Sequence, residues 1–117
     1  MAIKVGVMGA GVISNQYLSN LTTFPDLDVI FVADTDWDRA RSQANEYGIA
    51  GSGTVDDLLT GPAQIIVNLT PPTAHLDTAL AAVMAGKHVW LEKPLTTDVA
   101  GAQRLLTAAE EAGVVVA

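Results

Sequence analysis

The sequence of 117 residues contains no cysteine. This absence excludes disulfide bonds, thiolate metal sites and a thiol nucleophile, and it is compatible with the reducing environment of the cytoplasm. We therefore expect a cytoplasmic protein without a metal site.

Positive charge is also scarce, because six basic side chains stand against thirteen acidic ones and give a formal net charge of −7. The basic residues are spread along the chain, at Lys4, Arg39, Arg41, Lys87, Lys93 and Arg104. A nucleic-acid interface needs clustered positive charge, so this distribution argues against a nucleic-acid partner.

Long apolar runs are missing as well. The longest uncharged apolar run, Ala79–Ala85, is far shorter than the roughly 20 residues that a membrane-spanning helix needs. The first residues, Met1–Val5, resemble a strand and are too short for a signal peptide. We expect a soluble protein with no membrane partner.

What the chain does contain is apolar residues, which make up 50% of it, with alanine and valine well ahead of aromatic side chains. Short runs rich in β-branched residues alternate with segments of helical periodicity. The runs that predict buried strands are Ile3–Met8, Val29–Ala33, Ile65–Leu69, Val89–Leu91 and Val114–Val116, with a further short strand within Ile49–Thr54.

Three segments space their apolar side chains as one face of a helix does. They are Ile13, Tyr17 and Leu21, then Leu76, Leu80, Val83 and Met84, and finally Val99, Ala102, Leu106 and Ala109. Helix starts are predicted at Thr54 in a capping box with Asp57, at Thr73 and at Thr97. Helix ends are predicted at Gly48, Gly86 and Gly113.

This alternation of strands and helices with short connections predicts parallel strands joined by right-handed crossovers. We therefore predict an α/β fold in which residues 1–117 form a single domain. Its architecture is a three-layer, doubly wound parallel sheet, which is the Rossmann fold.

A glycine-rich turn follows the first predicted strand and leads into a helix, which is the context of a dinucleotide-binding fingerprint. Its residues are Gly9, Ala10, Gly11, Val12, Ile13 and Ser14, with serine at the third glycine position. Gly9 permits the tight turn, and Gly11 lets a pyrophosphate approach the backbone amides that open the helix. We expect Gly11 to tolerate no side chain.

Asp34 ends the second predicted strand, where a carboxylate accepts hydrogen bonds from the adenosine ribose hydroxyls and repels a 2′-phosphate. Thr35 follows it rather than an arginine, and Asp36 adds negative charge. The sequence therefore favours NAD as the cofactor, whereas Arg39 and Arg41 leave NADP open.

Two further segments carry a more specific pattern. The first comprises Asn68, Leu69, Thr70, Pro71, Pro72, Thr73, Ala74 and His75, and the second runs from Gly86 to Leu95 and includes Glu92, Lys93 and Pro94. With these segments the whole chain resembles the glucose-fructose oxidoreductase and inositol dehydrogenase family, often written Gfo/Idh/MocA. The glutamate-lysine-proline signature is considerably more specific than the glycine pattern.

The resemblance implies roles for the matching residues. In this family the lysine of the signature lies beside the nicotinamide and the substrate, which implies a catalytic, proton-transferring role for Lys93. The signature and the loop that borders the nicotinamide-side ribose imply cofactor contacts at Asn68, Thr70, Pro71, Pro72, His75, Glu92, Lys93 and Pro94. Strand ends of open parallel sheets are where ligands bind, which is an independent reason to expect a site there.

Family members continue into a second domain that holds most of the substrate site and commonly mediates oligomerisation. That catalytic domain is absent from residues 1–117, so we expect a fragment of a two-domain enzyme that binds NAD(P) weakly and is inactive alone. The resemblance implies a parent that transfers a hydride between NAD(P) and a sugar, polyol or related carbinol, and that forms a homo-oligomer.

Two other functions stay open on the residues alone. One is a non-catalytic module that senses dinucleotides or binds a protein, and the other is an S-adenosylmethionine-binding domain whose ribose would also use Asp34. Neither function needs Lys93. Trp37 has two interpretations, as a packing residue at a helix start or as a neighbour of the adenine.

Overall fold

Parallel strands form the centre of the molecule, in a computed structural model that describes residues 2–91 and 99–117. The strands are β1 (Ile3–Met8), β2 (Leu27–Ala33), β3 (Gly51–Gly53), β4 (Ile65–Asn68) and β5 (His88–Leu91). Their order across the sheet is β3-β2-β1-β4-β5, and every pairing is parallel. This is the doubly wound order of a Rossmann fold, so the predicted fold class is confirmed.

Helices connect the strands and cover both faces of the sheet. They are α1 (Ser14–Leu21), α2 (Trp37–Glu46), α3 (Val55–Leu59), α4 (Pro72–Met84) and α5 (Val99–Ala112). Gly48, Gly86 and Gly113 follow three of them with φ of +69°, +80° and +72°. A left-handed residue after a helix favours glycine, so the three predicted helix ends are confirmed.

Two hydrophobic clusters pack on opposite faces of the one sheet. Leu18 of α1 and Ala40 of α2 belong to the first cluster, together with Val5 and Val7 of β1. Leu58 of α3 belongs to the second, with side chains from α4, α5 and the alternate positions of the strands. Because strand side chains alternate between faces, the three central strands β1, β2 and β4 each contribute to both clusters.

The predicted buried faces of the helices were wrong in part. Met84 is 80% exposed, Val99 is 86% exposed, and Ile13 and Leu106 are also exposed. In α5 the buried residues are Gly101, Leu105 and Ala109, and α4 buries Ala79, Ala82 and Val83. Small residues let the helices approach the sheet and each other closely, so the buried stripe follows them rather than the largest apolar side chains.

Two boundary predictions also differ from the structure. Helix α4 begins at Pro72 after Pro71, so Thr73 lies inside its first turn and is not the cap. Proline suits this position because its missing N–H would have no partner in the first turn. Thr97, the other predicted cap, lies outside the described residues.

The predicted sixth strand, Val114–Val116, runs parallel beside β5, because the Val89 N–H donates to the Val115 carbonyl oxygen at 3.0 Å and the Ala117 N–H donates to the Val89 carbonyl oxygen at 2.9 Å, but it is not buried as predicted. Val116 forms a single parallel bridge with Val89, and the side chain of Val115 is exposed. The Val115 N–H also donates to Nδ1 of His88 at 3.0 Å.

No helix within residues 2–91 and 99–117 is long and apolar enough to cross a membrane.

Candidate functional site

The turn after β1 has the conformation that glycine is needed for. Gly9 has a φ of +104°, and its N–H donates to the Ala33 carbonyl oxygen at 2.7 Å. A Cβ atom at Gly9 would lie 2.8 Å from the Leu69 carbonyl carbon and 3.0 Å from the Thr70 nitrogen. The turn therefore packs directly on the backbone of the loop after β4, which confirms the conformational reason for Gly9 and joins two of the predicted cofactor loops.

Residues 11–13 form a turn, and α1 starts only at Ser14. The Val12 and Ile13 side chains are exposed there. Within residues 2–91 and 99–117, nothing lies within 4 Å of a Cβ built on Gly11. The expectation that Gly11 tolerates no side chain therefore finds no support in protein packing, and it rests wholly on the approach of a ligand.

A polar cavity of about 300 Å³ opens beside this turn. Its lining residues are Ala10, Gly11, Val12, Asn15, Arg39, Ser42 and Gln43. Ser14, at the third position of the fingerprint, is fully buried below it, and its hydroxyl donates to the Gly11 carbonyl oxygen at 2.6 Å. The serine thus fixes the turn by a hydrogen bond that glycine could not make.

Asp34 lies at the carboxyl end of β2 with only 6% of its surface exposed. Its Oδ2 atom accepts a hydrogen bond from the Ala10 N–H at 2.7 Å, and its Oδ1 atom accepts one from the Asp36 N–H at 2.9 Å. The Nη2 atom of Arg39 lies 3.1 Å from Oδ1 and 3.2 Å from Oδ2. The carboxylate therefore holds the glycine turn in place through protein contacts of its own.

These contacts change the acidity of the carboxyl group. Burial by itself raises the pKa of Asp34, but the Asp36 and Ala10 N–H groups and the Arg39 guanidinium together hold it below its ordinary value. The same ion pair raises the pKa of Arg39. Asp34 is therefore ionised at neutral pH.

Two partners of this corner were not assigned by sequence reasoning. The sequence indicates only that Arg39 is compatible with NADP, and it does not predict the contact between Arg39 and Asp34. Gln43, one helical turn further along α2, donates to the Ser14 hydroxyl and to Oδ1 of Asn15, both at 2.8 Å. The spacing of four residues places Arg39 and Gln43 on one side of a helix. This spacing is the sequence feature from which their shared location could have been predicted.

A second polar network holds the loop after β4. Asn68 is fully buried, and its Oδ1 atom accepts hydrogen bonds from the Thr70 N–H at 3.1 Å and the Thr70 hydroxyl at 2.6 Å. Its amide nitrogen donates to the Thr78 hydroxyl at 2.9 Å. Asn68 therefore joins this loop to α4, and Thr78 is a member of the network that the sequence analysis missed.

The remaining predicted site residues are distributed as follows. Thr35 is exposed and its hydroxyl lies 3.4 Å from Oδ1 of Asp34, while Pro71 is exposed before α4. His75 is buried within α4, so it is a helix residue rather than a loop residue. Glu92, Lys93 and Pro94 lie outside the described residues.

The described site residues converge on one edge of the sheet. The turn after β1 and the loop after β4 lie on adjacent strands whose connections leave in opposite directions, which is the switch point where open α/β sheets bind ligands. A larger apolar groove of about 400 Å³ lies on one face near Leu27 and Ile65, the first residues of β2 and β4. It opens towards the other end of the strands, so the polar cavity beside Gly11 is the candidate site.

The geometry suits a dinucleotide. The open space over Gly11 and Val12 admits a pyrophosphate to the backbone, and Asp34 and Arg39 stand at the end of β2, where an adenosine ribose would lie. The Thr70 loop stands on the opposite side of the Gly9 turn. The residues present therefore fit an NAD-type cofactor.

Comparison with known proteins gives a consistent result. The model of the oxidoreductase family with an NAD-binding Rossmann fold matches residues 3–117. Among relatives, inositol 2-dehydrogenase from Salmonella typhimurium is 32% identical over 117 residues, and the match covers 97% of this chain and 35% of that protein.

Solved structures show the same fold. The 3-ketoreductase KijD10 from Actinomadura kijaniata, in complex with NADP and TDP-benzene, matches with a TM-score of 0.94 and 33% identity over 99% of this chain and 36% of its own. GenD2 from gentamicin A biosynthesis, in complex with NAD, matches with a TM-score of 0.93 and 32% identity over 99% of this chain and 34% of its own. The chain thus spans about a third of the length of these proteins.

Proposed function

The chain belongs to the Gfo/Idh/MocA oxidoreductase family, of which it forms the NAD-binding Rossmann domain, and we propose that the whole protein transfers a hydride between NAD(P) and a sugar, polyol or related carbinol. The observation that carries this proposal is the polar cavity at the switch point of the sheet, which is lined by Gly11 and by Arg39, the ion-pair partner of Asp34. The bound nicotinamide supplies the hydride chemistry, and the protein supplies binding and orientation.

The chain's own residues divide between two parts of the cofactor site. We assign the pyrophosphate to Gly9, Ala10, Gly11, Val12 and Ile13, and the adenosine ribose to Asp34 and Thr35. The nicotinamide side is assigned to Asn68, Thr70, Pro71, Pro72 and His75 and to Glu92, Lys93 and Pro94. The buried Asn68 network supports this division because it fixes the Thr70 backbone against the Gly9 turn.

We assign proton transfer to Lys93. A cation or an apolar surface close to a lysine lowers its pKa towards the range useful for proton transfer, and an oxidised nicotinamide carries such a positive charge. In the whole protein, Lys93→Met should lower kcat by at least about a hundredfold, the usual contribution of a positioned acid or base. The NADH dissociation constant of this variant should stay within about threefold of the wild-type value, because the substitution removes the group that transfers the proton and leaves the other cofactor contacts in place.

The substrate class is supported by the relatives. Their names include inositol 2-dehydrogenase and 1,5-anhydro-D-fructose reductase, and each is about three times the length of this chain. A sugar or polyol therefore remains the proposed substrate of the whole protein, and its homo-oligomeric state and cytoplasmic location stay predictions. Residues 1–117 alone are predicted to turn over no sugar or polyol.

Binding experiments test the cofactor first. Titration of the chain with NADH, NADPH and S-adenosylmethionine, followed by nicotinamide fluorescence and by heat, should give saturable binding of the nicotinamide cofactors only. Tightest binding of S-adenosylmethionine would reject the oxidoreductase proposal. Binding of NADH by a whole protein that reduces or oxidises no carbinol would instead favour a sensing module.

A further inference from the structure

The side-chain amide of Asn68 has one orientation that satisfies its neighbours. Asn68 is fully buried, and one end of its amide lies 3.1 Å from the Thr70 backbone nitrogen. A backbone N–H can only donate, so the amide oxygen must face Thr70 and the amide nitrogen must face Thr78, 2.9 Å away. The Asn68 amide therefore donates to the Thr78 hydroxyl oxygen.

The Thr78 hydroxyl has a single proton, which it donates within α4. Its oxygen lies 2.7 Å from the carbonyl oxygen of Ala74, four residues earlier in the helix, and 3.2 Å from that of His75. Both carbonyl oxygens can only accept, so the hydroxyl proton points along the helix. The Thr78 oxygen is therefore left as an acceptor where it meets Asn68 and the Thr70 hydroxyl, whose oxygen lies 3.1 Å away.

The Thr70 hydroxyl proton is also used inside this network. Oγ1 of Thr70 lies 2.6 Å from Oδ1 of Asn68, which is closer than its contact with Thr78. The amide oxygen carries no proton, so it accepts the proton of Thr70. Thr70 is only partly buried, and a ligand that reaches its hydroxyl oxygen meets a hydrogen-bond acceptor whose own proton is already taken.

Resting on the proposed function, we propose that Thr78 is a positioning residue for the nicotinamide half of the cofactor. It holds the Asn68 amide in the orientation that takes the Thr70 proton, and Thr70 then accepts a hydrogen bond from an O–H or N–H donor of the cofactor. The donors available there are the hydroxyls of the nicotinamide-side ribose and the carboxamide N–H.

Valine at position 78 would keep nearly the shape of threonine and remove the hydroxyl. Within residues 2–91 and 99–117, the His75 carbonyl oxygen would then be the remaining acceptor near the Asn68 amide nitrogen, at 3.4 Å, which is beyond the usual length of such a bond. A buried donor without a good partner is costly, so the amide would shift. The Thr70 hydroxyl would no longer be held as an acceptor.

Thr22 supplies a matched control. Its hydroxyl donates to the Leu18 carbonyl oxygen, four residues earlier in the chain, at the same 2.7 Å as the bond from Thr78 to Ala74. Thr22 caps the carboxyl end of α1, outside the loop after β4. Thr22→Val therefore removes the same kind of helical hydrogen bond without touching Asn68.

The test compares dissociation constants of the full chain for NADH, ADP-ribose and ADP, measured by isothermal titration calorimetry. ADP has the adenosine and the pyrophosphate but lacks the nicotinamide half, whereas ADP-ribose adds only the second ribose. Thr78→Val should weaken NADH binding by about three- to tenfold, the loss expected for one neutral hydrogen bond, and should leave ADP binding unchanged. Thr78→Ser, which restores the hydroxyl, and Thr22→Val should both bind NADH as the wild type does.

ADP-ribose identifies the donor on the cofactor. If Thr78→Val weakens ADP-ribose binding as much as NADH binding, a ribose hydroxyl donates to Thr70. If it weakens NADH binding alone, the carboxamide is the donor. Either result agrees with the proposal.

A double substitution tests whether Thr78 acts through Thr70. Thr70→Val should itself weaken NADH binding, and the addition of Thr78→Val should cause no further loss. Additive losses would mean that Thr78 affects the cofactor by another route, and they would overturn the positioning role.

Other outcomes would also overturn it. Weakening of ADP and NADH binding by the same factor in Thr78→Val would make Thr78 a structural residue, and unchanged NADH binding would remove it from the site. Wild-type binding of NADH no tighter than that of ADP would show that the nicotinamide half makes no favourable contact with the loop. If the wild type bound none of the three ligands, the proposed function itself would fail, and this role of Thr78 with it.

Discussion

Gly9 and Gly11 lie in the same turn, but glycine is needed at the two positions for different reasons. Gly9 has a φ of +104°, and a Cβ there would press on the Leu69 and Thr70 backbone. At Gly11, the described part of the chain leaves open space where a Cβ would be. The fold therefore requires glycine at position 9, whereas only the approach of a ligand requires glycine at position 11.

Gly9→Ala should accordingly lower the free energy of unfolding by about 1–3 kcal/mol from the backbone conformation alone, with the contact adding to this loss. Gly11→Ala should change it by less than about 0.5 kcal/mol. Urea denaturation followed by circular dichroism measures both values. A Gly11→Ala chain as unstable as Gly9→Ala would contradict this account of the turn.

The ionised state of Asp34 predicts how stability depends on pH. Since the pKa of Asp34 in the folded chain is below its ordinary value of 3.8, its stabilising contribution is complete above that value and is lost as the pH falls through the lowered pKa. Asp34→Asn should cost about 1.5–3 kcal/mol at neutral pH, the range for hydrogen bonds to a charged group.

The comparison that isolates Asp34 is the difference in unfolding free energy between wild type and Asp34→Asn, measured from neutral pH down to about pH 2. Other carboxyl groups titrate in both chains and cancel. The difference should stay constant at neutral and mildly acidic pH and shrink below 3.8. A difference that grows in acid would mean that the pKa of Asp34 is raised in the folded chain.

At the scale of elements, helix starts separate a correct prediction from a wrong one. The Thr54 hydroxyl accepts the Asp57 N–H, and the Asp57 carboxylate accepts the Thr54 N–H, both at 3.1 Å. Hydrogen bonding to Thr54 also lowers the pKa of Asp57. Thr73, predicted as a cap from the same residue type, lies exposed inside the first turn of α4.

This pair of threonines gives a matched measurement. Thr54→Ala should lower the free energy of unfolding by about 1 kcal/mol, because the Asp57 N–H loses its partner. Thr73→Ala should have little effect, since alanine is the better helix former at an exposed helical position. Thermal unfolding of the two variants under the same conditions measures both effects. Equal losses of unfolding free energy would reject the assignment of the α4 start.

Local patterns predicted the elements, and tertiary contacts decided the rest. The bounds of β1 and the end of β2 at Ala33 were predictable because β-branched runs stop at glycine or a charge. The partners of Asp34 and Asn68 were not, because Arg39 and Thr78 reach them only once α2 and α4 have packed on the sheet. The exposure of Met84 could not be predicted for the same reason, since periodicity indicates which side chains share one face of a helix but not which part of that face packs on the sheet.

At the scale of the whole molecule, the described residues form two hydrophobic clusters that share one sheet. Leu18 is fully buried in the cluster under α1 and α2, and Leu58 is 1% exposed in the cluster under α3, α4 and α5. Val5 and Met8 of the same strand, β1, belong to different clusters. Both clusters pack on the same strands, so loss of one cluster exposes a face of the strands that the other cluster needs. This dependence predicts a single cooperative unfolding transition.

Leu18→Ala and Leu58→Ala should each lower the free energy of unfolding by about 2–5 kcal/mol, the cost of a cavity in a packed core. Leu106→Ala, at a half-exposed position of α5, should cost less than about 1 kcal/mol. In every variant, urea transitions followed by far-ultraviolet circular dichroism and by tryptophan fluorescence should coincide, because Trp90 lies in β5 and Trp37 at the start of α2, and both elements unfold with the shared sheet. Transitions that separate in Leu18→Ala but not in Leu58→Ala would show that the α1–α2 layer unfolds independently. The glycine turn, which precedes α1 and rests on the Asp34 carboxylate, would then open without loss of the sheet, and cofactor affinity in Leu18→Ala would fall with the first of the two transitions.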